Sequence, residues 1–481
     1  MPRRTKIIAT LGPATDDPKA LDAMIEAGVD VVRLNFSHGT REEHLARAEN
    51  VRNRARAFGR QVGVMGDLQG PKIRTGKFAN GPVELAEGGD FIIDTALDLN
   101  AGTRESVGST YTNLHEDVKR GDTLLLDDGR IVLWVDQIVG TRIQCRVVVG
   151  GELSNNKGIN VQGGGLSAGA LTAKDREDIR IAAEMQADYV AVSFVRSGDD
   201  VREARKLLAD AGWSECGIVA KIERAEAVTN IDSILDEADV VMIARGDLGV
   251  EIGDAALPPV QKSIIKRARE RNRLAITATQ MMETMITNAI PTRAEVFDVA
   301  NAVLDGTDAV MLSGETAVGK HPCKVVTAMG RICEEAEKQR VARTSDHRIN
   351  TEFNRVDEAI AMATMYTANH LGVKAIASIT ESGSTALWMS RISSGIPIFA
   401  MTRNLQTRRR VTMYRGVYPV SFDLTSTDHA QVNLDAVEEL LRRGAVRHGD
   451  LVILTKGDLT GIAGGTNAMK IVRVGEMLEP D

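Results

Sequence analysis

The sequence predicts an α/β fold: a (β/α)8 TIM barrel with a small β-barrel domain inserted in it and an α/β domain after it. Three observations carry this prediction. Short β-branched runs recur at residues 6–12, 29–35, 62–68, 189–194, 217–223, 239–244, 274–279 and 308–313, each followed by a longer amphipathic stretch. Strands alternating with helical segments read as βα units on a parallel sheet, and eight units are the number that closes a barrel. The rhythm breaks once, between Leu68 and Tyr189, and begins again once, after residue 345. An open doubly wound sheet is the alternative arrangement of the same units.

The first three units and the last five give a barrel over residues 1–75 and 169–345. The break contains GDTLLLDDGRIVLWVDQIVG and TRIQCRVVVGG, strand-length runs divided by Gly and Asp turns. Such runs predict an all-β domain over residues 76–168, placed as a lid after the third strand. Its exit, NNKGINVQGGGLSAGALTAKD, is glycine-rich and predicts a hinge. From residue 346 to 481 a helical stretch, VDEAIAMATMYTANHL, leads to AIASIT, PIFAMT, YPVSF and LVILTKG. These runs read as a third α/β domain or as further units of one larger sheet. The polar break RVARTSDHRINTEFNR favours the separate domain.

Size and charge agree with this division. A chain of 481 residues carries a prior of about three domains, and 43% hydrophobic residues supply a large core. The net charge of -7, without a dense Lys/Arg run, argues against nucleic-acid binding. Anionic substrates would need local basic pockets. Cys145, Cys216, Cys323 and Cys333 form no CxxC pair, which argues against a disulfide framework or zinc site and fits a reducing cytoplasm. The start, MPRRTKIIATLG, enters a strand-like run without a signal-peptide pattern, and no apolar run reaches the ~18 residues of a membrane span.

Barrel enzymes carry their reactive groups at the C-terminal ends of the strands. Six predicted strand ends here are unusual: VVRLNFSHG, GDLQGPKIRTG, AKIERAE, ARGDLGVE, TATQMME and MLSGETA. Lys221 and Glu223 lie two apart on a strand and so face the same side. Alone they would read as a salt bridge. With Asp247 on the next strand, Glu223 becomes half of a carboxylate pair suited to Mg2+, with positions left for substrate oxygens and water. RGDLG also opens a helix, where backbone N–H groups bind anions, and Gly246 permits close approach; an ordinary N-cap is the plain alternative. Thr279 could cap a helix, or its hydroxyl could bind a carboxylate and relay a proton through water. Arg33 and Arg74 have forks suited to phosphate, or to surface ion pairs. His38 reads as a polar site residue or a satisfied loop histidine. Met281, Met282 and Met285 read as core packing.

In the order VVRLNFSHG, GPKIRTG, AKIERAEAV, ARGDLGVE, TATQMME, DGTDAVMLSGETA, these motifs resemble the pyruvate kinase family over nearly the entire chain, and most closely its bacterial branch. The resemblance implies phosphoryl transfer from phosphoenolpyruvate to ADP, giving pyruvate and ATP. Lys221 would neutralise the phosphoryl group and enolate oxygen. Glu223 and Asp247 would hold Mg2+, with Mn2+ as a substitute. Gly246, Asp247 and Thr279 would bind the carboxylate, with Ser193 nearby, and Arg33 would hold the transferred phosphate. Asn35, His38, Arg74 and Lys157 would face the nucleotide. Homotetramers are common in the family.

Two departures stand out. Potassium-dependent members usually read Asp-Thr-Lys-Gly-Pro-Glu on the third strand; here Asp67-Leu68-Gln69-Gly70-Pro71-Lys72 places a lysine at the glutamate position. Asn35, Ser37 and Asp67 match the potassium ligands, and an ammonium at Lys72 could take that cation's role, so turnover is expected not to require K+. A solvent-facing Lys72 with K+ still bound is the alternative. GETAVGK carries Val318 where many relatives have lysine, which leaves that nucleotide contact open. In ITESGSTA, residues Thr380, Ser382, Gly383, Ser384 and Thr385 could cradle a phosphate or form a plain helix cap. The resemblance favours an effector site for a sugar phosphate or nucleoside monophosphate. Two other functions compete: a magnesium-dependent lyase or aldolase acting on pyruvate enolates, and a non-catalytic metabolite sensor.

Overall fold

A computed structural model describes residues 2–343, 352–423, 428–458 and 464–476. The expected boundary at 345–346, with part of the polar break around it, lies outside the described residues. Eight strands close a parallel barrel in chain order: β1 (Lys6–Thr10), β2 (Val31–Asn35), β3 (Gly63–Asp67), β4 (Tyr189–Val192), β5 (Gly217–Ile222), β6 (Val240–Ala244), β7 (Leu274–Ala278) and β8 (Ala309–Leu312). The ring closes where Lys6 pairs with Ala309. Helices cover the outside and the barrel is filled within, so the strands read as nearly continuous apolar runs. Alternation divides each run: Ile7 and Ala9 pack toward the helices, whereas Ile8 joins the interior layer with Val31, Met65, Val219 and Met242.

Most strands stop before the predicted ends. The missing residues, among them Glu223 and Thr279, turn out of the ladder and form the rim of the site. Helix starts are strongly specified nearby. Thr40 with Glu43, Thr172 with Asp175 and Thr292 with Glu295 form capping boxes, each satisfying otherwise orphaned backbone donors. Met281, Met282 and Met285 are fully buried in the strand–helix layer, as their spacing predicts.

The inserted segment forms a six-stranded sheet, in the order Ile159–Val161, Thr123–Leu126, Ile131–Val139, Arg142–Val149, Asp90–Asp94, Ser106–Gly108, and a ribbon pairing Gly151–Leu153 with Val83–Leu85. The small barrel predicted here thus takes the form of a sheet and a ribbon. They share one core, which includes Phe91, Leu124, Leu133, Ile143 and Leu153.

The C-terminal sheet runs Val417–Ser421, Ile398–Thr402, Ala375–Ile379, Leu451–Lys456, Ala468–Arg473, with the last strand antiparallel to its neighbour. Its domain seals the barrel floor. Met413, Tyr414 and Val417 continue the barrel's interior cluster, and the Tyr189 hydroxyl donates to the Arg410 carbonyl at 2.7 Å. Among the described residues no helix is long and apolar enough to cross a membrane.

Candidate active site

The opposite end of the barrel, where the strands finish, gathers the charged motifs. Lys221, in β5, reaches three groups at the ends of three strands: Glu223 Oε1 at 2.9 Å, Ser193 Oγ at 2.6 Å and Asp67 Oδ1 at 3.4 Å. Asp67, at the end of β3, is 1% exposed and also accepts from Arg33 Nε at 2.6 Å. Arg33 is steadied by the Thr10 hydroxyl at 3.1 Å. Ser193 donates to the Leu68 carbonyl at 2.7 Å, and Glu223 accepts the Phe194 N–H at 2.7 Å. The result is a buried alternation of two cations and two carboxylates, braced by backbone groups.

The electrostatics follow from this packing. Burial penalises the Lys221 ammonium, but Asp67 and Glu223 outweigh it and raise its pKa. Burial alone would lift the Asp67 carboxyl, yet Lys221 and Arg33 hold it below the usual carboxylate range. Glu223 moves up because of burial and the Asp247 carboxylate, although Lys221 opposes this. Lys221 is therefore a cation fixed in a low-dielectric pocket.

Beside it, the β6 and β7 ends lock together. Gly246, in the helix Arg245–Ile252, donates its N–H to Thr279 Oγ1 at 2.8 Å, and that hydroxyl donates to the Ala278 carbonyl at 2.7 Å. Thr279 has φ +65°. A β-branched residue in the left-handed region is strained and persists only where its surroundings impose it. Arg245 does this: its Nη2 donates to the Thr279 carbonyl at 2.8 Å while Nη1 pairs with Asp298 at 2.7 Å. Glu315 braces the neighbouring β8 loop, accepting the N–H groups of Ser313 at 2.7 Å and Met282 at 3.1 Å.

A cleft of about 700 Å³ opens between these loops and the inserted domain. Its walls include Lys72, Gly246, Asp247 and Thr279 from the barrel and Asp128 and Gln162 from the insertion. This volume lies within the usual range for small-molecule sites.

The predicted residues fall into groups. Arg33, Asp67, Ser193, Lys221 and Glu223 are joined directly, and Asp247, Gly246 and Thr279 adjoin them. Arg74 and Lys157 meet at the base of the insertion: Arg74 Nη1 donates to the Asn156 carbonyl at 2.9 Å, and Lys157 pairs with Asp127 at 2.7 Å. Asn35 ends β2 and Ser37 and His38 follow on its loop, where the Ser37 N–H donates to Asn35 Oδ1 at 3.1 Å and His38 is exposed. Lys72 Nζ lies 3.6 Å from Asp247 Oδ1, a partner the sequence does not suggest. Val318 is 63% exposed. In the C-terminal domain, Gly383 (φ +82°) donates to Thr380 Oγ1 at 2.9 Å, Ser382 and Ser384 share a hydrogen bond of 2.7 Å, and Thr385 bonds Thr466 at 2.7 Å.

Two family models match. One describes the pyruvate kinase barrel domain and covers residues 2–326; the other describes the pyruvate kinase alpha/beta domain and covers residues 358–472. The chain belongs to the pyruvate kinase family. It is 55% identical to pyruvate kinase II of Salmonella typhimurium over 98% of this chain and 99% of that relative. Pyruvate kinases of Buchnera aphidicola from Acyrthosiphon pisum and of Haemophilus influenzae are each 52% identical, the first over 98% of this chain and 99% of its own length, the second over 95% and 96%. The chain is accordingly an enzyme of this family, a kinase on a TIM barrel.

Sequence reasoning passed over Arg245 and Glu315. Both stand inside quoted motifs, RGDLG and SGETA, and the available signal was an ionisable side chain directly after an apolar strand for Arg245 and three residues past one for Glu315.

Proposed function

We propose that this chain transfers the phosphoryl group of phosphoenolpyruvate to ADP, forming pyruvate and ATP in glycolysis. The observation that supports it best is the fixed Lys221 cation beside the strained Thr279–Gly246 turn, with a carboxylate pair at hand. Phosphoryl transfer depends on positioning and on stabilising spread negative charge, and such a pocket provides both.

In this reading the substrate carboxylate rests on the Gly246 and Asp247 amides and the Thr279 hydroxyl. Arg33 and Lys221 hold the phosphoryl oxygens, with Ser193 orienting the ammonium. The bond from phosphorus to the enol oxygen breaks as one forms to the terminal oxygen of ADP. Lys221 then faces the enolate oxygen, and the methylene carbon takes a proton through a water chain ending at Thr279. Glu223 and Asp247 are hard oxygen donors whose mutual repulsion a divalent cation would relieve, so they fit Mg2+ or Mn2+. The metal, when bound, supplies further charge neutralisation on the phosphoryl and enolate oxygens.

Residues 1–75 with 169–345 form the catalytic part and residues 76–168 its lid, which brings Lys157 toward the nucleotide, while Arg74 approaches from beyond β3 and Asn35 and His38 from the end of β2. The Lys72 ammonium near Asp247 would supply a positive charge otherwise drawn from a monovalent ion at Asn35, Ser37 and Asp67, making K+ dispensable. Residues 346–481 carry the effector turn Thr380–Thr385, suited to a sugar phosphate or nucleoside monophosphate. A cytoplasmic homotetramer completes the proposal.

The test is pyruvate formation from phosphoenolpyruvate and ADP with Mg2+, run with and without K+. Turnover in both supports the kinase and the Lys72 readings together. Turnover only with K+ keeps the kinase and removes the Lys72 proposal. A folded protein that turns over in neither, with effectors present, removes the kinase reading and favours a lyase or a sensor.

A further inference from the structure

The barrel floor holds an unbalanced cluster of guanidiniums that the phosphoryl-transfer site does not use. Arg4 precedes β1, Arg269 lies in the last turn of the helix Leu257–Glu270, Arg391 follows the helix Ser384–Ser390, and Arg415 precedes the strand Val417–Ser421. The barrel contributes the first two and the C-terminal domain the others. Two carboxylates face them, and both are committed. Asp308 is gripped by both terminal nitrogens of Arg391, one at 2.9 Å, and accepts the Ala275 N–H at 2.9 Å. Glu337 accepts the backbone N–H groups of Arg4 at 2.9 Å and Thr5 at 2.6 Å and lies 3.5 Å from Arg4 Nε.

Arg269 and Arg415 are left with neutral partners. Arg269 donates to the Arg391 carbonyl at 2.7 Å and to Ser393 Oγ at 3.1 Å; Arg415 donates to the carbonyls of Thr307 at 2.8 Å and Val303 at 3.0 Å. Among the described residues, no carboxylate stands within ion-pair distance of either. Burial, with repulsion from Arg415 and Arg391, pushes the Arg269 guanidinium down to about 10, and burial likewise lowers Arg415. Asp308 and Glu337 attract these two guanidiniums only from beyond ion-pair distance; a buried charge without a direct ion pair is costly, and a compact anion between them would offset that cost.

The space for one exists. A cavity of about 20 Å³ is lined by Arg4, Arg269, Arg415, Ser390, Ser393 and Ser394, with Ile392, Ile396 and Ile398 closing the apolar side. One water needs roughly 10–15 Å³ on this scale, so the cavity admits a single water-sized or halide-sized particle and excludes a phosphate ester. Its polar wall consists of guanidiniums drawn from both domains and serine side chains, of which Ser390 and Ser394 donate to the Leu387 carbonyl and Asn369 Oδ1 and Ser393 accepts from Arg269.

We propose that this cavity binds one small monovalent anion, of which chloride is the abundant example, and that the ion ties the C-terminal domain to the barrel floor. Guanidinium donors on both sides make the ion a counter-charge shared across the seam.

The experiment uses the full chain and bromide, which replaces chloride and scatters anomalously. Crystals soaked in bromide should show an anomalous peak in the cavity against Arg269 and Arg415. In solution, chloride should raise the melting temperature saturably above a gluconate control of equal ionic strength. Arg269→Gln should raise the half-saturating chloride concentration by about tenfold, the cost of one charge-assisted hydrogen bond. Should that variant fail to fold, Ser393→Ala, which keeps every charge, should raise it by a smaller factor. An empty or water-filled cavity in bromide, or identical melting curves in the two salts, would overturn the proposal.

Discussion

Lys221 is bound so tightly by neighbours that its role and its removal can be reasoned separately. It is the only ammonium reaching Glu223, Asp67 and Ser193 together among the described residues. Lys221→Ala should lower turnover by about 10²–10³, the usual cost of one preorganised charge-stabilising group, while the fold remains. Steady-state kinetics beside a far-ultraviolet spectrum checks this, and near-normal turnover from the folded variant would refute it. Lys72 offers a second prediction. Its contact with Asp247 brings a positive charge to the edge of the carboxylate pair. Lys72→Glu should make turnover depend on K+, read as activity with and without the ion; independence in the variant would sink the idea. The Lys221–Glu223 pair was legible because residues two apart on a strand share a face. Arg245 was not, because what gives it meaning is Asp298, 53 positions along the chain. Asp67 was read only as a potassium ligand, since its ion pairs with Arg33 and Lys221 cross strands.

At the scale of elements, a glycine run joins the insertion to the loops of the candidate site. Gly163, Gly164 and Gly165 all have positive φ, which explains the glycine run visible in the sequence. The run is clasped from the barrel side. Gly163 donates its N–H to the Glu251 carbonyl at 3.0 Å, and the Gly165 N–H binds Glu226. The Glu251 side chain accepts the Ala225 N–H at 2.9 Å and the Asn160 amide at 3.4 Å, joining the loop after Glu223 to a lid strand. Burial pushes the Glu251 carboxyl up to about 7. Glu251→Ala should loosen the lid and raise the KM for ADP several-fold with a smaller change in kcat, whereas Glu251→Gln, which keeps the acceptor, should resemble the parent. Equal losses in both variants would show that the charge, not the clasp, matters. The glycine run was visible in the sequence; its acidic partners lie after distant strands and gave no local sign.

For the whole molecule, eight alternating units were enough to foresee the barrel, because burial on both faces leaves a continuous apolar run at each strand. The sealing of its floor was not foreseeable, since contacts such as Lys6 Nζ to the Val417 carbonyl at 2.6 Å join opposite ends of the chain. That seam carries a titratable group. Asp188, just before β4, is 4% exposed and accepts the Val64 N–H at 2.8 Å, with Arg52 and, from the C-terminal domain, Arg409 and Arg410 attracting its charge. Burial outweighs these and raises the carboxyl to about 6 from its ordinary 3.8. The folded state therefore holds this proton more tightly than the unfolded chain. Its stabilising contribution is complete below pH ~4 and is lost as pH rises through ~6, on the order of 1–3 kcal/mol. Asp188→Asn keeps an acceptor for Val64 but cannot ionise. Its melting temperature relative to the parent should therefore climb between pH ~4 and ~6 and level above that. Parallel curves across this range would mean that the Asp188 carboxylate finds more compensation at the seam than Val64, Arg52, Arg409 and Arg410 provide.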